Sequence, residues 1–222
     1  MTLDEMYTMM ELYGFDDFED SQKLMLLNDA YLDVVTREPW PFMEELALFT
    51  APSGTTQITN NPTLTVTGVT NNPSAITDVN SVTSFIDVTN NIIMLPERND
   101  TIEKKYQSGN FTNATPSVYY FVGEDMFVYP QTQGSTNYRL SYIRTPSALE
   151  TDADNLVPSR HHNIIVYGAL VKAFLVNDDP QAAVFQNMFE SKYQQMRNDL
   201  WMNQYDRTDR IQVMTDSYDW SY

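Results

Sequence analysis

His161 and His162 are the only histidines of the chain, and they are the first candidates for metal binding or acid-base chemistry. Adjacent residues on a helix point about 100° apart, so the two rings are poorly placed to share one ion. A capping or surface role therefore fits them better. The chain has no cysteine, which excludes disulfides, thiolate nucleophiles and Cys-ligated metals.

Carboxylates offer two further candidate sites. Asp152, Asp154 and Asn155 resemble part of a calcium-binding loop, but the turn glycine and the distal bidentate glutamate are missing, so a solvated linker is favoured. An acidic face is predicted where a second helix begins. It would bind a cation, meet a basic partner, or remain a solvated helix start whose charge suits the helix dipole. The acidic face comprises Asp16, Asp17, Glu19 and Asp20.

No residue spacing in the chain is typical of an active site. With 30 Asp and Glu residues, some carboxylate pair will resemble a glycosidase pair by chance. The 7 glycines form neither a nucleophile elbow nor a phosphate-binding loop. We therefore predict that the protein is not an enzyme, with no catalytic residue, no cofactor and no metal site.

The chain is strongly acidic, with 13 Lys and Arg residues and a formal net charge of −17. Tight DNA binding needs a basic surface, so the protein is expected to surround DNA at most, without sequence-specific binding. No signal peptide is visible, and no apolar run approaches the ~20 residues of a membrane helix. We expect a protein that contacts no membrane and is made in a reducing cytosol.

Residues 1–44 are predicted to form two helices that end at an aromatic corner. Thr2 and Glu5 form a capping box, and Gly14 is a plausible stop for the first helix. The second helix follows the acidic face and ends before Pro39, because the residue before a proline is pushed out of the α region. The hinge after this helix, with its adjoining core, comprises Tyr31, Trp40 and Phe42.

Residues 45–146 have the composition of a β-rich insertion. The Thr-Asn-Asn-Pro sequence of residues 59–62 recurs at residues 70–73, which predicts turns between short hairpins. Val118–Val122 precedes a Gly-Glu-Asp turn signal, and residues 138–142 alternate between two faces. The segment therefore predicts a small antiparallel β region.

Residues 147–203 are predicted to return to two helices. An apolar stretch at 164–175 predicts a buried central helix, and Asp179 with Pro180 predicts the start of the last one. Residues 204–222 are predicted to be an extended tail that binds a neighbouring subunit or partner, since Tyr and Trp anchor interfaces. The alternative is a tail folded back on its own domain. The predicted contact residues of the tail are Tyr205, Ile211, Val213, Tyr218, Trp220 and Tyr222.

These elements together predict an α+β fold in one structural unit. A helical body of two N-terminal and two C-terminal helices carries the central antiparallel β region and the extended C-terminal tail. The predicted segments are residues 1–44, 45–146, 147–203 and 204–222.

Four motifs lie at the junctions of these elements. They read LNDAY at residues 27–31, REPWPF at residues 37–42, LSYIRTP at residues 140–146 and IIVYGAL at residues 164–170. In this order they resemble the head-to-tail adaptor proteins of tailed bacteriophages, chiefly the short-tailed kind. The resemblance covers about residues 18–203, and the Thr/Asn-rich hairpins fit it least well.

The resemblance implies a structural virion protein in the neck between capsid and tail, assembled in the bacterial host cytoplasm. Copies of the chain would form a ring, usually of about twelve subunits, that docks on the portal protein and extends the DNA channel. The ring would also carry tail nozzle or fibre proteins. Family members often grip the portal with their C-terminal segment, which here corresponds to the predicted tail.

Two other functions stay open. One is a tail-associated binding module that recognises a glycan or receptor through the Tyr and Trp residues. The other is an acidic hydrolase, which needs a cleft with perturbed carboxylates. For the adaptor, subunits at −17 repel one another, so we expect the isolated protein to be mainly monomeric and to assemble on its portal or at high salt.

Overall fold

The computed structural model describes residues 1–68, 76–107 and 115–216. Helices and mainly antiparallel sheets are both present, which confirms the predicted α+β class. The chain divides into two compact units. The helical unit comprises residues 1–42 and 146–222, and the β unit comprises residues 43–145.

The helices of the helical unit are α1 (Leu3–Leu12), α2 (Asp20–Thr36), α4 (Asn163–Val176) and α5 (Gln181–Asp216). The β unit contains β1 (Glu44–Ala51), β2 (Thr65–Gly68), β3 (Val79–Asp87), β4 (Ile92–Ile93), β5 (Leu95–Pro96), α3 (Asn99–Gln107), β6 (Val118–Val122), β7 (Asp125–Tyr129) and β8 (Thr136–Arg144). Short 3-10 helices span Pro41–Met43, Asp152–Asp154 and Ser159–His161.

Helix α1 begins and ends as its sequence predicts. The side chains of Thr2 and Glu5 each accept a hydrogen bond from the other's backbone N–H, which confirms the capping box. Gly14 has φ +93°, and the N–H of Phe15 donates back to the carbonyl oxygen of Met10 at 3.3 Å. This is a Schellman stop, in which the left-handed glycine lets the chain leave the helix.

Helix α4 is the centre of the helical unit, as its apolar composition predicts. It contacts α1, α2 and α5, and most of its side chains are buried. A Cβ atom on Gly168 would lie 3.0 Å from Cβ of Ala30 and 3.1 Å from the Phe189 ring, so the glycine lets α2 and α5 approach. Leu175, in the last turn, differs from the prediction because it is exposed, and Val176 beside it is exposed as well.

The prediction of an extended conformation is wrong for residues 204–216, because helix α5 continues through them. Gln181–Asp216 contains neither proline nor glycine, so no residue interrupts the i to i−4 hydrogen bonds. Asp179 accepts a hydrogen bond from the N–H of Gln181 at 2.8 Å and caps the start of the helix as predicted.

The β unit is built on a five-stranded antiparallel sheet with the order β2-β1-β8-β3-β4. The central strand β8 buries every second side chain as predicted, beginning with Thr136, Tyr138 and Leu140. A smaller sheet has the order β5-β6-β7, and its β5–β6 pair is parallel, unlike the antiparallel prediction. Phe49, Tyr119 and other side chains from the two sheets form one core cluster.

Turns of the β unit coincide with the Thr/Asn repeats where the structure describes them. Asn60 has φ +54° and Asn91 has φ +56°, in the left-handed region that asparagine tolerates. The side chain of Asn61 also accepts from the N–H of Thr63 at 3.0 Å. The copy at residues 70–73 lies outside the described residues. Helix α3 was not predicted.

Candidate interaction surfaces

The four carboxylates of the acidic face are all exposed. Asp16 and Asp17 lie in the turn after α1, Glu19 is the N-cap of α2, and Asp20 is the first residue of that helix. Oδ1 of Asp20 lies 3.5 Å from Nζ of Lys23. Asp20 therefore takes part in an ion pair, and a binding role for the face stays a prediction.

Lys23 joins the acidic face to α1. Its side chain is only 3% exposed, and its Nζ atom also lies 2.5 Å from Oε1 of Glu11. The hydrogen bond to Glu11 and the nearby charge of Asp20 raise the pKa of Lys23. The ammonium therefore stays charged at neutral pH and holds α1 against α2. A lysine on the apolar face of an amphipathic helix is the sequence signal for this contact.

The aromatic corner is a packed part of the helical unit. Tyr31 and Trp40 are fully buried, while Phe42 is half-buried. The Trp40 indole stacks on Phe42 at 5.8 Å between centroids and meets Tyr193 edge-on at 5.5 Å. Its Nε1 atom donates to the carbonyl oxygen of Val34 at 2.8 Å. Trp40 thus packs between α2, which contains Tyr31, and α5, and the hinge role of the three predicted residues stays a prediction.

Arg37, beside the corner, binds the face of α5. Its guanidinium lies over two rings, 4.9 Å from the centroid of Phe189 and 5.0 Å from that of Tyr193. Its terminal nitrogen lies 3.3 Å from Oε1 of Glu190. Cation-π and ionic attraction therefore act on the same stretch of α5.

Glu38 extends this contact by two helical turns. Its carboxylate lies 3.1 Å from Nε of Arg197 and accepts from the Trp201 indole at 3.2 Å. Burial and the neighbouring Glu38 carboxylate raise the pKa of Tyr193 to about 12. Residues four apart share one face of a helix, so Glu38 holds one stripe of α5. We call Arg37 and Glu38 with their α5 partners the α2–α5 clasp. The clasp was not predicted from the sequence.

The candidate calcium-loop residues act instead as backbone caps. Oδ1 of Asp152 accepts from the N–H of Leu3 at 2.6 Å. Oδ2 of Asp154 accepts from the hydroxyl of Thr151 at 2.8 Å, and the hydrogen bonds from Thr151 lower the pKa of that carboxyl. The hydroxyl of Tyr31 donates to the carbonyl oxygen of Asp154 at 3.1 Å. These contacts fix the linker against α1 and α2.

His161 and His162 have separate surroundings. The Nε–H of Arg160 donates to Nε2 of His161 at 3.0 Å, while burial and the Arg160 charge lower the pKa of His161. The ring nitrogens of His162 lie 2.8 and 2.7 Å from backbone carbonyl oxygens. Within the described ranges, no group of three or more potential metal-ligating side chains occurs.

The β unit contains a buried polar network that was not predicted from the sequence. Glu45 is 6% exposed and lies 2.9 Å from Arg144, and the hydroxyl of Tyr142 lies 3.1 Å from Glu45 and 3.4 Å from Asp78. Burial and the Glu45 charge raise the pKa of Asp78, and burial with both carboxylates raises that of Tyr142. The network joins β1, β8 and the segment before β3. The sequence signal for this network is Glu45, a charged residue at an inward-facing position of β1.

Large apolar side chains are exposed at one end of the helical unit, around the last turns of α1 and α4 and the first turns of α5. We call this surface the apolar helix end. Its members are Leu12, Tyr13, Leu175, Val176, Val184 and Met188. Ring contacts bring the three helices together beneath this surface. The Phe185 ring lies 5.0 Å from that of Tyr13 and 5.2 Å from that of Phe174, measured between centroids.

A second exposed apolar surface crosses the outer face of the five-stranded sheet. Cross-strand partners place Leu48 opposite Arg139, Arg139 opposite Ile86, and Ile86 opposite Ile93. These four residues form one row on the face away from the core. We call it the outer sheet row. Leu48 is 40% exposed and Ile93 is 68% exposed.

The predicted tail residues fall into two groups. Tyr205, Ile211 and Val213 lie within α5. Tyr218, Trp220 and Tyr222 lie outside the described residues. The tail's binding role therefore stays a prediction, although the α2–α5 clasp fixes the helix from which the tail continues.

Comparison with protein families decides the class of protein. The family model of the SU10 adaptor protein matches residues 1–215. The chain belongs to the SU10 adaptor protein family. It is thus a bacteriophage head-to-tail adaptor and a structural component of the virion, which confirms the resemblance seen in the sequence. A search of curated proteins found no match.

The SU10 adaptor match covers the whole β unit and all of the helical unit except its last seven residues, 216–222. The Thr/Asn-rich hairpins, which fitted the resemblance least, are thus within the family region. The virion neck is the place that this family implies. In the part of the chain that the structure describes, no helix has both the length and the apolarity to cross a membrane.

Proposed function

We propose that copies of this chain form a closed ring between the portal and the tail, and that DNA passes through the ring. The family match over residues 1–215 carries the proposal, because it makes the chain a phage adaptor. A ring needs two different contact faces on each subunit, joined head to tail. The apolar helix end and the outer sheet row are two such unlike faces.

The charge distribution supports a channel role without DNA recognition. The helical unit has 21 acidic and 8 basic residues, a formal charge of −13, while the β unit has 9 and 5, a charge of −4. Binding to phosphates requires Lys and Arg to displace counterions. A carboxylate-rich subunit offers little of this, so DNA can move past it without sticking. The proposed role is therefore structural and not catalytic.

The C-terminal segment is the proposed contact with the portal. The α2–α5 clasp holds α5 as far as Trp201, and the helix continues to Asp216. The chain beyond the clasp contains Tyr and Trp residues of the kind that anchor interfaces. The clasp would present this segment in a fixed direction, while its far end binds the portal.

Cryo-electron microscopy of the chain mixed with its portal protein tests the proposal. We expect a ring coaxial with the portal. We expect a chain truncated after residue 203 to lose portal binding while keeping its thermal unfolding midpoint and losing only the helical circular dichroism of residues 204–216. A full-length chain that stays monomeric with the portal in low and high salt would refute the ring. A truncated chain that binds the portal as well as the full chain would refute the portal role of the C-terminal segment.

Salt dependence gives a second test, without the portal. Ultracentrifugation should show mainly monomers at low salt and larger species near 1 M salt, where the Debye length is about 3 Å and repulsion between acidic subunits is screened. Stable rings of the isolated chain at low salt would contradict this expectation.

A further inference from the structure

The apolar helix end is unusual for the surface of a stable monomer. Leu12 is 80% exposed and Val176 is 78% exposed, although both adjoin the aromatic cluster that packs α1, α4 and α5 together. Contiguous exposed apolar side chains with a polar rim mark protein interaction surfaces. A shallow groove between Tyr167 on α4 and Val184 and Met188 on α5 extends the surface.

Carboxylates border this surface at the ends of α1 and α4, while Lys192 lies at the groove on its α5 side. Asp16 and Asp17 follow the end of α1, and Asp178 and Asp179 follow the end of α4. Asp16, Asp17 and Asp178 are exposed. A partner that covers the apolar helix end must therefore bring apolar side chains and at least one positive charge.

The outer sheet row has this chemistry. Arg139 is exposed in the middle of the row, with Leu48 and Ile86 as its two direct cross-strand neighbours and Ile93 beyond. It makes no ion pair with another residue among those that the structure describes. The row also belongs to the less acidic unit, so fewer carboxylates there would repel the acidic residues that border the apolar helix end.

We propose that the apolar helix end of one copy packs on the outer sheet row of the next copy, with Arg139 against the carboxylates around that end. This inference rests on the proposed ring and names its subunit contact. Pairing like with like is disfavoured, since it would place carboxylates against carboxylates or Arg139 against Arg139. The contact is therefore heterologous, as ring closure requires.

Charge exchange tests the pairing of the two faces. Arg139→Glu should raise the protein concentration needed for assembly on the portal by about tenfold or more, because like charges then meet. Adding Asp16→Lys and Asp17→Lys should restore much of the loss. Arg98→Glu is the control for the charge change, since Arg98 is an exposed arginine of the same unit, outside the row, and its ion pair with Asp100 at 3.3 Å is itself exposed. Circular dichroism of each variant checks that it folds.

Mixing two defective variants tests the heterologous geometry. The double variant Leu48→Asn and Ile93→Asn leaves the helix end intact, while the double variant Leu12→Asn and Val176→Asn leaves the sheet row intact. Each alone should be monomeric near 1 M salt, the condition in which the unmodified chain assembles. An equimolar mixture should form dimers and nothing larger, because each pair can make one intact contact.

The outcomes separate this inference from the proposed function. If Arg139→Glu assembles as well as the Arg98→Glu control, or the Lys substitutions fail to restore assembly, the proposed contact is overturned while the ring stands. If either defective variant still self-associates alone, the contact is not heterologous between these faces. An unmodified chain that never assembles with its portal overturns the ring itself.

Discussion

The helical unit and the β unit are each stabilised by a different kind of internal interaction. In the helical unit, ion pairs connect helices at the surface, as Lys172 shows by lying 2.5 Å from Asp29 and 2.6 Å from Asp33 across α2 and α4. In the β unit, the backbone pairing of β8 with both neighbours is the main connection, and the charges are few. A net charge of −13 is thus tolerated where basic side chains serve as cross-links.

This difference concerns assembly as well as stability. The helical unit offers an apolar end bordered by carboxylates at the ends of α1 and α4, and the β unit offers an apolar row with one arginine. In the proposed ring, the face on the helical unit of one copy would pack on the face of the β unit of the next copy. Substitutions inside each unit would measure how much the packing of helices and the buried charges of the sheet contribute to stability.

The largest expected effect is that of Trp40→Ala in the helical unit. The change removes the ring contacts with Phe42 and Tyr193 and leaves a cavity in a fully buried site, so we expect a loss of about 4 kcal/mol. Hydrogen exchange followed by mass spectrometry measures protection in each unit separately. Faster exchange should be concentrated in α2 and α5.

Trp40→Phe is the matched control, because it keeps an aromatic ring and removes the Nε1 hydrogen bond to Val34. It should cost clearly less than the alanine substitution. Equal losses for the two variants would show that the hydrogen bond and not the packing stabilises the corner.

The next effect is that of Arg144→Met in the β unit. The change leaves the buried Glu45 carboxylate without its cation, and breaking one side of a buried pair costs about 3 kcal/mol or more. Urea unfolding should show the loss. The double variant Glu45→Gln and Arg144→Met should recover part of it, and no recovery would mean that Arg144 acts mainly by packing.

Much of the fold could be predicted because the signals are local. The capping box at Thr2, the stop at Gly14 and the start at Asp179 depend on residues within one helical turn. The alternation along β8 follows from its position as the central strand of a sheet with one buried face. These patterns identify an element without reference to distant parts of the chain.

The candidate surfaces could be predicted only in part, because they depend on pairs that are distant in sequence. Glu38 and Trp201 are 163 positions apart, and no local pattern links them. The outer sheet row requires the register of four strands. The helical conformation of residues 204–216 was missed for another reason. Their apolar positions lack a helical period, although nothing in them breaks a helix.

A smaller effect is expected from Asp78→Asn, and its sign depends on pH. Because burial and Glu45 raise the folded-state pKa of Asp78, the folded state binds a proton more readily than the unfolded chain. The contribution of Asp78 is most favourable below the unfolded pKa of about 3.9 and is lost as pH rises through the folded value. Asparagine should therefore stabilise the β unit at neutral pH.

Thermal unfolding across this pH range measures the effect. The difference in midpoint between Asp78→Asn and the unmodified chain should grow from acidic to neutral pH. A difference that shrinks instead would mean that Asp78 gains more from Tyr142 and Arg144 than it loses by burial. The helical unit provides the internal comparison, since its protection against hydrogen exchange should not change.

The smallest expected effect is that of Glu38→Gln on the α2–α5 clasp. The partly exposed pair with Arg197 is worth at most about 1 kcal/mol, so stability should fall little. The change should be clearer in Tyr193, whose pKa of about 12 should decrease because the neighbouring carboxylate is gone. Since burial is the larger cause, the pKa should remain above 10, the usual value for tyrosine. Tyrosine titration by NMR measures this shift, and an unchanged Tyr193 would mean that Glu38 does not contact α5 in solution.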